Sequence, residues 1–200
     1  MKEYLLTILI GYALGCFNTA YFISKAKGFD IRDTGSGNAG ASNIKIALGW
    51  KYGILTALTD ILKSAAAVYI CSRLFPDNQV VPFLAGAMAV VGHIVPFYMK
   101  FKGGKGYASY FGMILAVNWR LALALAVLGV LITLISNYIA LATLSTVVVT
   151  PAYYFFLHAS IYIIVILLIL AALMFYKHRI NIQRIIRHEE IGLRKKKAEA

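Results

Sequence analysis

Residues 121–157 read LALALAVLGVLITLISNYIALATLSTVVVTPAYYFFL, 37 consecutive positions without a charged side chain. A helix crossing a bilayer needs about 20 apolar residues. The run is too long for one crossing and fits two. Residues 159–176, ASIYIIVILLILAALMFY, supply another. Upstream, 52–98 holds two spans around a short turn at Arg73, Pro76, Asp77 and Asn78, and 4–24 holds one. The stretch 107–118 is shorter, a half-length or re-entrant helix. Composition agrees: the 200 residues are 60% apolar and only 14% charged, with a mean hydropathy of +0.75. An ordinary soluble domain runs near half apolar and a quarter charged. The reading is an all-α integral membrane protein, a single polytopic domain over 1–200, built as a bundle of about seven transmembrane helices.

Charge orients the bundle. The formal net charge is +12. Lys25, Lys27 and Arg32 follow the first span, Lys100, Lys102 and Lys105 sit in the 99–106 loop, and the tail carries Lys177, Arg179, Arg184, Arg187 and the run 194–197. Basic loops stay in the cytoplasm. An even number of crossings must then join 106 to 177, and four short helices suit that stretch. The N-terminus is therefore placed outside and the C-terminus in the cytoplasm, leaving only Lys2, Arg73 and Arg120 on the outer side. Lys63 is expected near the cytoplasmic end of its span, snorkelling outward. With no soluble module to present it, this basicity points to anionic ligands beside lipid, and nucleic acid is not expected as a partner. Residues 4–24 are long for a signal-peptide core and carry their positive charges after the apolar run, so a cleaved signal peptide is not expected. Cys16 and Cys71 lie in apolar runs and read as small buried hydrophobes. Residues 188–200 read as a flexible basic tail.

Polar residues gather in three places, all assigned to the cytoplasmic face. The first is DTGSGNAGASNIKIALG at 33–49. Gly35, Gly37 and Gly40 permit backbone shapes closed to other residues. Such loops can aim successive N–H groups at one anion. Ser36, Asn38, Ser42 and Asn43 add side-chain hydrogen bonds, and the following IKIALGWKYG is expected to begin a helix with its positive end toward the anion. The second is GHIVPFYMKFKGGKGYAS at 92–109. There Lys102 and Lys105 flank Gly103 and Gly104, so backbone can approach closely while the lysines supply point charges. His93, before Pro96, reads as a helix-end hydrogen-bonder. The third is YKHRINIQRIIR at 176–187. His178, Asn181 and Arg184 recur every third residue and form one ridge; Arg187 and the run 194–197 read as an amphipathic helix on the membrane surface, while His178 and Asn181 sit nearer the end of the last crossing, better placed to face a site.

Carboxylates are scarce on this face, and no metal cage or close carboxylate pair is visible. None of the four histidines has an Asp five positions on, so the H-x-x-x-x-D dyad of thioester-using acyltransferases is missing. No cofactor is expected. What remains is a basic, glycine-rich site beside lipid, suited to a substrate with phosphate at one end and an acyl chain at the other.

The three segments closely resemble the bacterial acyl-phosphate:glycerol-3-phosphate acyltransferase family. GSGNAGASN at 35–43 matches its GSGN-x-GATN motif, residues 92–106 match GH-x-x-P followed by FKGGKG, and 178–184 match HR-x-N-I-x-R. Asp60 and Lys63 match an Asp-x-x-Lys pair in the second crossing. Departures are Ser42 for Thr, Ile46 for the family arginine, Ser64 and His188 for glycines, and Thr143 where relatives carry Ser. Lys45 is adjacent to the lost arginine, but one residue turns a helix by about 100°.

The resemblance implies a seven-crossing enzyme of the bacterial inner membrane with its active site at the cytoplasmic face. It would transfer a fatty acyl group from acyl phosphate to the 1-hydroxyl of sn-glycerol-3-phosphate. The products would be lysophosphatidic acid and phosphate, the first acylation of phospholipid synthesis. Partners would be these two substrates, membrane lipid and an enzyme that makes acyl phosphate. Lys105, His178, Asn181, Ser36 and Asn38 carry the chemistry in this reading. Gly35, Gly37, Gly40, Ser42, Asn43, Gly103, Gly104 and Lys102 bind phosphate. His93, Asp60, Lys63, Thr143 and Arg179 give support. Either the leaving phosphate or His178 takes the hydroxyl proton. Two other classes fit parts of the pattern. A small anion carrier would place polar groups near the midplane, which here looks apolar apart from residues such as Asn18 and Asn118. A polyprenyl-phosphate transferase would share the phosphate logic.

Overall fold

The computed structural model describes residues 1–194, which form helices and loops. Among them, six spans are long and apolar enough to cross a membrane: Lys2–Ala26, Trp50–Leu74, Val81–Met99, Trp119–Ser136, Ile139–Phe156 and Ile161–Ile186. The remaining apolar helix, Tyr107–Val117, has 11 residues. At 1.5 Å per residue it is about 16 Å long, half the hydrocarbon thickness. The membrane-spanning all-α reading holds, and the expected seventh element is half-length. The chain divides into two compact units, Met1–Trp119 and Arg120–Ala200.

The first unit contains α1 (Lys2–Cys16), α2 (Thr19–Ala26), α3 (Ala41–Leu48), α4 (Trp50–Leu74), α5 (Val81–Ile94) and α6 (Tyr107–Val117). α1 and α5 run parallel in backbone contact. Gly11 and Gly15 of α1 lie on the carbonyls of Ala85 and Ala89, and Gly92 of α5 lies on that of Tyr12. Lipid tails are as apolar as leucine, so helices in a bilayer associate by such close packing of small residues. A Cβ at Gly15 would stand 2.6 Å from the Ala89 Cα. Gly15→Leu is therefore expected to destabilise the unit by on the order of 3 kcal/mol, read as a lower thermal midpoint in detergent. An unchanged midpoint would contradict this packing.

The first crossing is not continuous, contrary to the reading of 4–24 as one run. Phe17 takes an extended conformation, and Asn18 caps a new helix by accepting the Tyr21 N–H at 2.9 Å. Asparagine competes for backbone in this way, which is why it favours helix starts over interiors. The expected helix after the first glycine-rich loop also differs. It begins earlier, at Ala41, and stops at Gly49, whose φ of +89° ends α3 and starts α4.

The second unit contains α7 (Trp119–Ser136), α8 (Ile139–Phe156) and α9 (Ile161–Ile186). α9 is one helix of 26 residues, about 39 Å long. His178 and Asn181 thus lie near the end of the last spanning helix, as expected, and that same helix continues through Arg184 without a separate surface helix there. Within the expected tail, the backbone N–H groups of Leu193 and Arg194 donate to Asn137. Lys195, Lys196 and Lys197 lie outside the described residues.

Candidate active site

The loop at 30–43 is shaped from inside by one side chain. Asn43 is buried on the first turn of α3. Its Nδ2 donates to the carbonyls of Ile31 and Thr34 at 2.9 and 3.0 Å, and its Oδ1 accepts the Ser36 N–H at 2.9 Å. Its amide is therefore spent on the loop itself. Gly35, at φ +55°, lies so close over Asn43 that a Cβ would run into Oδ1. The loop rests on an apolar floor of Ala20, Ile31, Ala39, Ile44 and Met99. Ser36, Gly37 and Ser42 are exposed around it and Asn38 is half-buried. Gly40, the N-cap of α3, offers no side-chain acceptor, and a Cβ there would stand 2.9 Å from the Asn38 amide nitrogen. The first N–H groups of α3 thus open beside Ser36 and Asn38.

Asp30 and Arg32 tie this loop to the second. Arg32 grips both Asp30 carboxylate oxygens, at 2.9 and 2.6 Å, and donates to the Met99 carbonyl at 2.7 Å. These hydrogen bonds hold the Asp30 carboxyl well below the usual carboxylate range and raise the Arg32 guanidinium. Because the Asp30 value is depressed on folding, its contribution is full at neutral pH and is lost progressively as pH falls from the ordinary carboxylate range through that depressed value.

The second loop packs by its glycines. Gly103 and Gly104 donate their N–H groups to the carbonyls of Ile94 and His93, both at 3.0 Å. Those two amides are committed to protein, so the close approach the glycines permit is to the end of α5. A Cβ on Gly104 would run into His93 Nε2 and stand 2.9 Å from the Ala39 carbonyl oxygen. That same carbonyl accepts from Asn18 Nδ2 at 3.0 Å. The two glycine-rich segments therefore meet directly, at Ala39 and Gly104. Lys105, next in the chain, is half-buried, and Lys102 is exposed.

Beneath this junction lies a buried charge cluster. Lys63 is not snorkelling: its side chain is 6% exposed. Its Nζ donates to Asp60 Oδ1 at 2.6 Å and to the Phe17 carbonyl at 2.7 Å, and lies 2.9 Å from His93 Nδ1. His93 Nδ1 is also 3.2 Å from Asp60 Oδ1. The ends of the α1 break supply the extra acceptor that lets the ammonium stay buried. Charge counting along the chain reads Lys63 as a helix-end residue, because the acceptor at Phe17 comes from another helix.

In the second unit, His178 and Asn181 are buried on α9. His178 Nδ1–H donates to the Met174 carbonyl at 2.8 Å. A carbonyl only accepts, so in the neutral ring Nε2 carries the lone pair. Asn181 Nδ2 donates to Glu190 Oε1 at 2.5 Å. Thr143 is buried on α8, donating back to the Ile139 carbonyl. Arg179 is exposed and turns along its own helix, stacked 4.1 Å over Tyr176. Ile46 is exposed on α3, and the neighbouring Lys45 sets its ammonium 4.1 Å over the Trp50 ring.

Comparison with known proteins meets this geometry. Residues 5–188 match the family described as glycerol-3-phosphate acyltransferase. The chain is 39% identical to glycerol-3-phosphate acyltransferase 1 of Oceanobacillus iheyensis over 200 aligned positions, 95% of each chain. It is 38% identical to the glycerol-3-phosphate acyltransferase of Endomicrobium trichonymphae, over 95% of this chain and 96% of that one. Its structure is similar to crystal structures of PlsY (YgiH), an integral membrane glycerol 3-phosphate acyltransferase. The glycerol 3-phosphate form gives a TM-score of 0.89 at 32% identity over 96% of both chains. The lysophosphatidic acid form gives 0.85 at 32% identity over 94% of both. The chain is an integral membrane acyltransferase and belongs to the glycerol-3-phosphate acyltransferase family.

Proposed function

We propose that the protein transfers a fatty acyl group from acyl phosphate to the 1-hydroxyl of sn-glycerol-3-phosphate at the cytoplasmic face of a bacterial inner membrane. With the 11-residue α6 counted as a seventh crossing beside the six longer spans, the N-terminus lies outside and the C-terminus inside. The hydroxyl oxygen bonds to the acyl carbon, the acyl–phosphate C–O bond breaks, and the hydroxyl proton passes to the departing phosphate. The products are lysophosphatidic acid and inorganic phosphate. An acyl phosphate is a mixed anhydride and needs no thioester carrier, so an enzyme making acyl phosphate must supply it.

The observation that carries this reading is the meeting of the two glycine-rich loops at Ala39 and Gly104, the residue before Lys105. Both substrates bring phosphate, and a preorganised group of amides and one lysine suits such anions. In this assignment the exposed rim of the first loop holds the acyl phosphate's phosphate: Gly35, Ser36, Gly37, Asn38 and Ser42, with the start of α3 after Gly40. Asn43 shapes that rim. Lys105 neutralises phosphate charge and Lys102 attracts it, while Gly103 and Gly104 hold the lysine-bearing loop to His93. His178 and Asn181 handle glycerol-3-phosphate. Thr143 supports them, and Arg179 contributes to the basic surface.

Purified protein given palmitoyl phosphate and labelled glycerol-3-phosphate is expected to release one phosphate per lysophosphatidic acid formed, without coenzyme A. Ester formation from palmitoyl-coenzyme A alone would contradict the donor. His178→Gln is expected to keep catalysis within about tenfold, because the leaving phosphate takes the proton and glutamine retains an acceptor. A loss of about 10³-fold would make His178 the base instead. Ile46→Arg, restoring the family arginine, is expected to lower the KM for glycerol-3-phosphate severalfold. An unchanged KM would show that this enzyme's phosphate grip does not use that position.

A further inference from the structure

The buried Asp60–Lys63–His93 cluster joins three helices at one point. Asp60 and Lys63 come from the middle of α4, His93 from the end of α5, and the Phe17 carbonyl from the break between α1 and α2. Two of these places, the break and the end of α5, also hold a loop of the site each. Asn18, the residue after Phe17, donates to the Ala39 carbonyl of the first loop. The His93 carbonyl accepts the Gly104 N–H of the second, and the His93 ring lies against Gly104 itself. Ionisable groups inside a membrane protein are costly, and their retention points to function. The α1–α5 contact does not run through this cluster, since those helices interlock through Gly11, Gly15 and Gly92.

We infer that Asp60, Lys63 and His93 are positioning residues: by fixing the Phe17–Asn18 break against the end of α5, they set the first loop and Lys105 at the separation that binds substrate phosphate. Lys63 is the pin. Its ammonium is an ion-pair partner to Asp60 and a donor to Phe17, and its third contact fixes the His93 ring through Nδ1. Rotation of that ring would push Nε2 into Gly104 and displace the residue next to Lys105. The cluster touches no substrate. This inference rests on the reading of the two loops as the phosphate site.

The test uses the full enzyme in detergent with glycerol-3-phosphate as the varied substrate. Asp60→Asn with Lys63→Met removes both charges together, leaving no unpaired buried ion. It is expected to raise the KM for glycerol-3-phosphate about tenfold or more, with the thermal midpoint retained. In a Lys105→Gln background the same pair is expected to add no more than about twofold, because positioning a missing lysine has no effect. His93→Asn, which keeps a polar group where Nδ1 stood, is expected to stay near the wild-type KM, whereas His93→Phe, which keeps only the ring, rises with the pair. If the charge-neutral pair does not fold, the Asn-against-Phe contrast at His93 decides alone. A wild-type KM in the pair or in His93→Phe overturns the inference, as do effects that simply multiply with Lys105→Gln. If Lys105→Gln itself leaves KM unchanged, the phosphate reading fails and the inference goes with it. A raised KM in Lys105→Gln beside a wild-type KM in the pair sinks the inference alone.

Discussion

A Lys105→Gln enzyme is expected to lose about 10²–10³-fold in kcat/KM for glycerol-3-phosphate, roughly 3–4 kcal/mol of transition-state stabilisation. Lys105 follows a residue whose backbone is locked on both sides: Gly104 donates to His93 and packs under the Ala39 carbonyl. A lysine on so fixed a base is preorganised, and at this half-buried residue charge meets phosphate where it is less screened than in bulk water. Glutamine keeps a donor, one atom short of the ammonium, but not the charge. Lys105→Arg should recover only part of the loss, since a planar fork does not occupy the place of a point charge. Kinetics with both substrates varied would check this. A glutamine enzyme within about threefold of wild type would remove Lys105 from the proposed site.

Asn43→Ala is expected to cost about 100-fold in activity through the shape of the first loop. The change removes two donors and one acceptor, leaving the carbonyls of Ile31 and Thr34 and the N–H of Ser36 without their partner. Each such loss costs about 1–3 kcal/mol when the group stays buried. The loop should therefore open rather than hold its form. Hydrogen exchange should speed up over 34–40 while the spanning helices stay protected. Asn43→Asp keeps the acceptor for Ser36 and should fall between the two. Unchanged exchange with lost activity would mean that Asn43 acts on substrate, and unchanged activity would mean that the loop does not need it.

The spans were legible because hydrocarbon excludes charge: the gap from 121 to 157 and the apolar run from 159 both became helices. The two glycine-rich segments were legible as a site by composition. Their internal wiring was not. Glycine density reads the same whether an N–H faces a ligand or pairs with its own chain, and the Gly103 and Gly104 amides pair with α5. Asn43 likewise reads as a ligand group on composition and proves to be the brace of its loop. The break at Phe17 was hidden because Asn18 sits within an apolar run, and only its partners, Tyr21 and Ala39, reveal its role. Lys63 was placed near water because one helix alone offers it no adequate partner set. Its burial depends on Phe17 and His93 from two other helices.

The central claim is that the two glycine-rich loops open together onto the cytoplasmic side, where phosphorylated substrate arrives. Ser36→Cys and Lys102→Cys place thiols on the exposed rim of each loop, while the native Cys16 and Cys71 are buried and give little background. A membrane-impermeant maleimide should label both introduced thiols in inverted vesicles and neither in sealed right-side-out ones. Glycerol-3-phosphate together with a non-hydrolysable acyl phosphate should slow both reactions. Labelling of the two positions from opposite sides of the membrane, or rates indifferent to the substrates, would contradict the account.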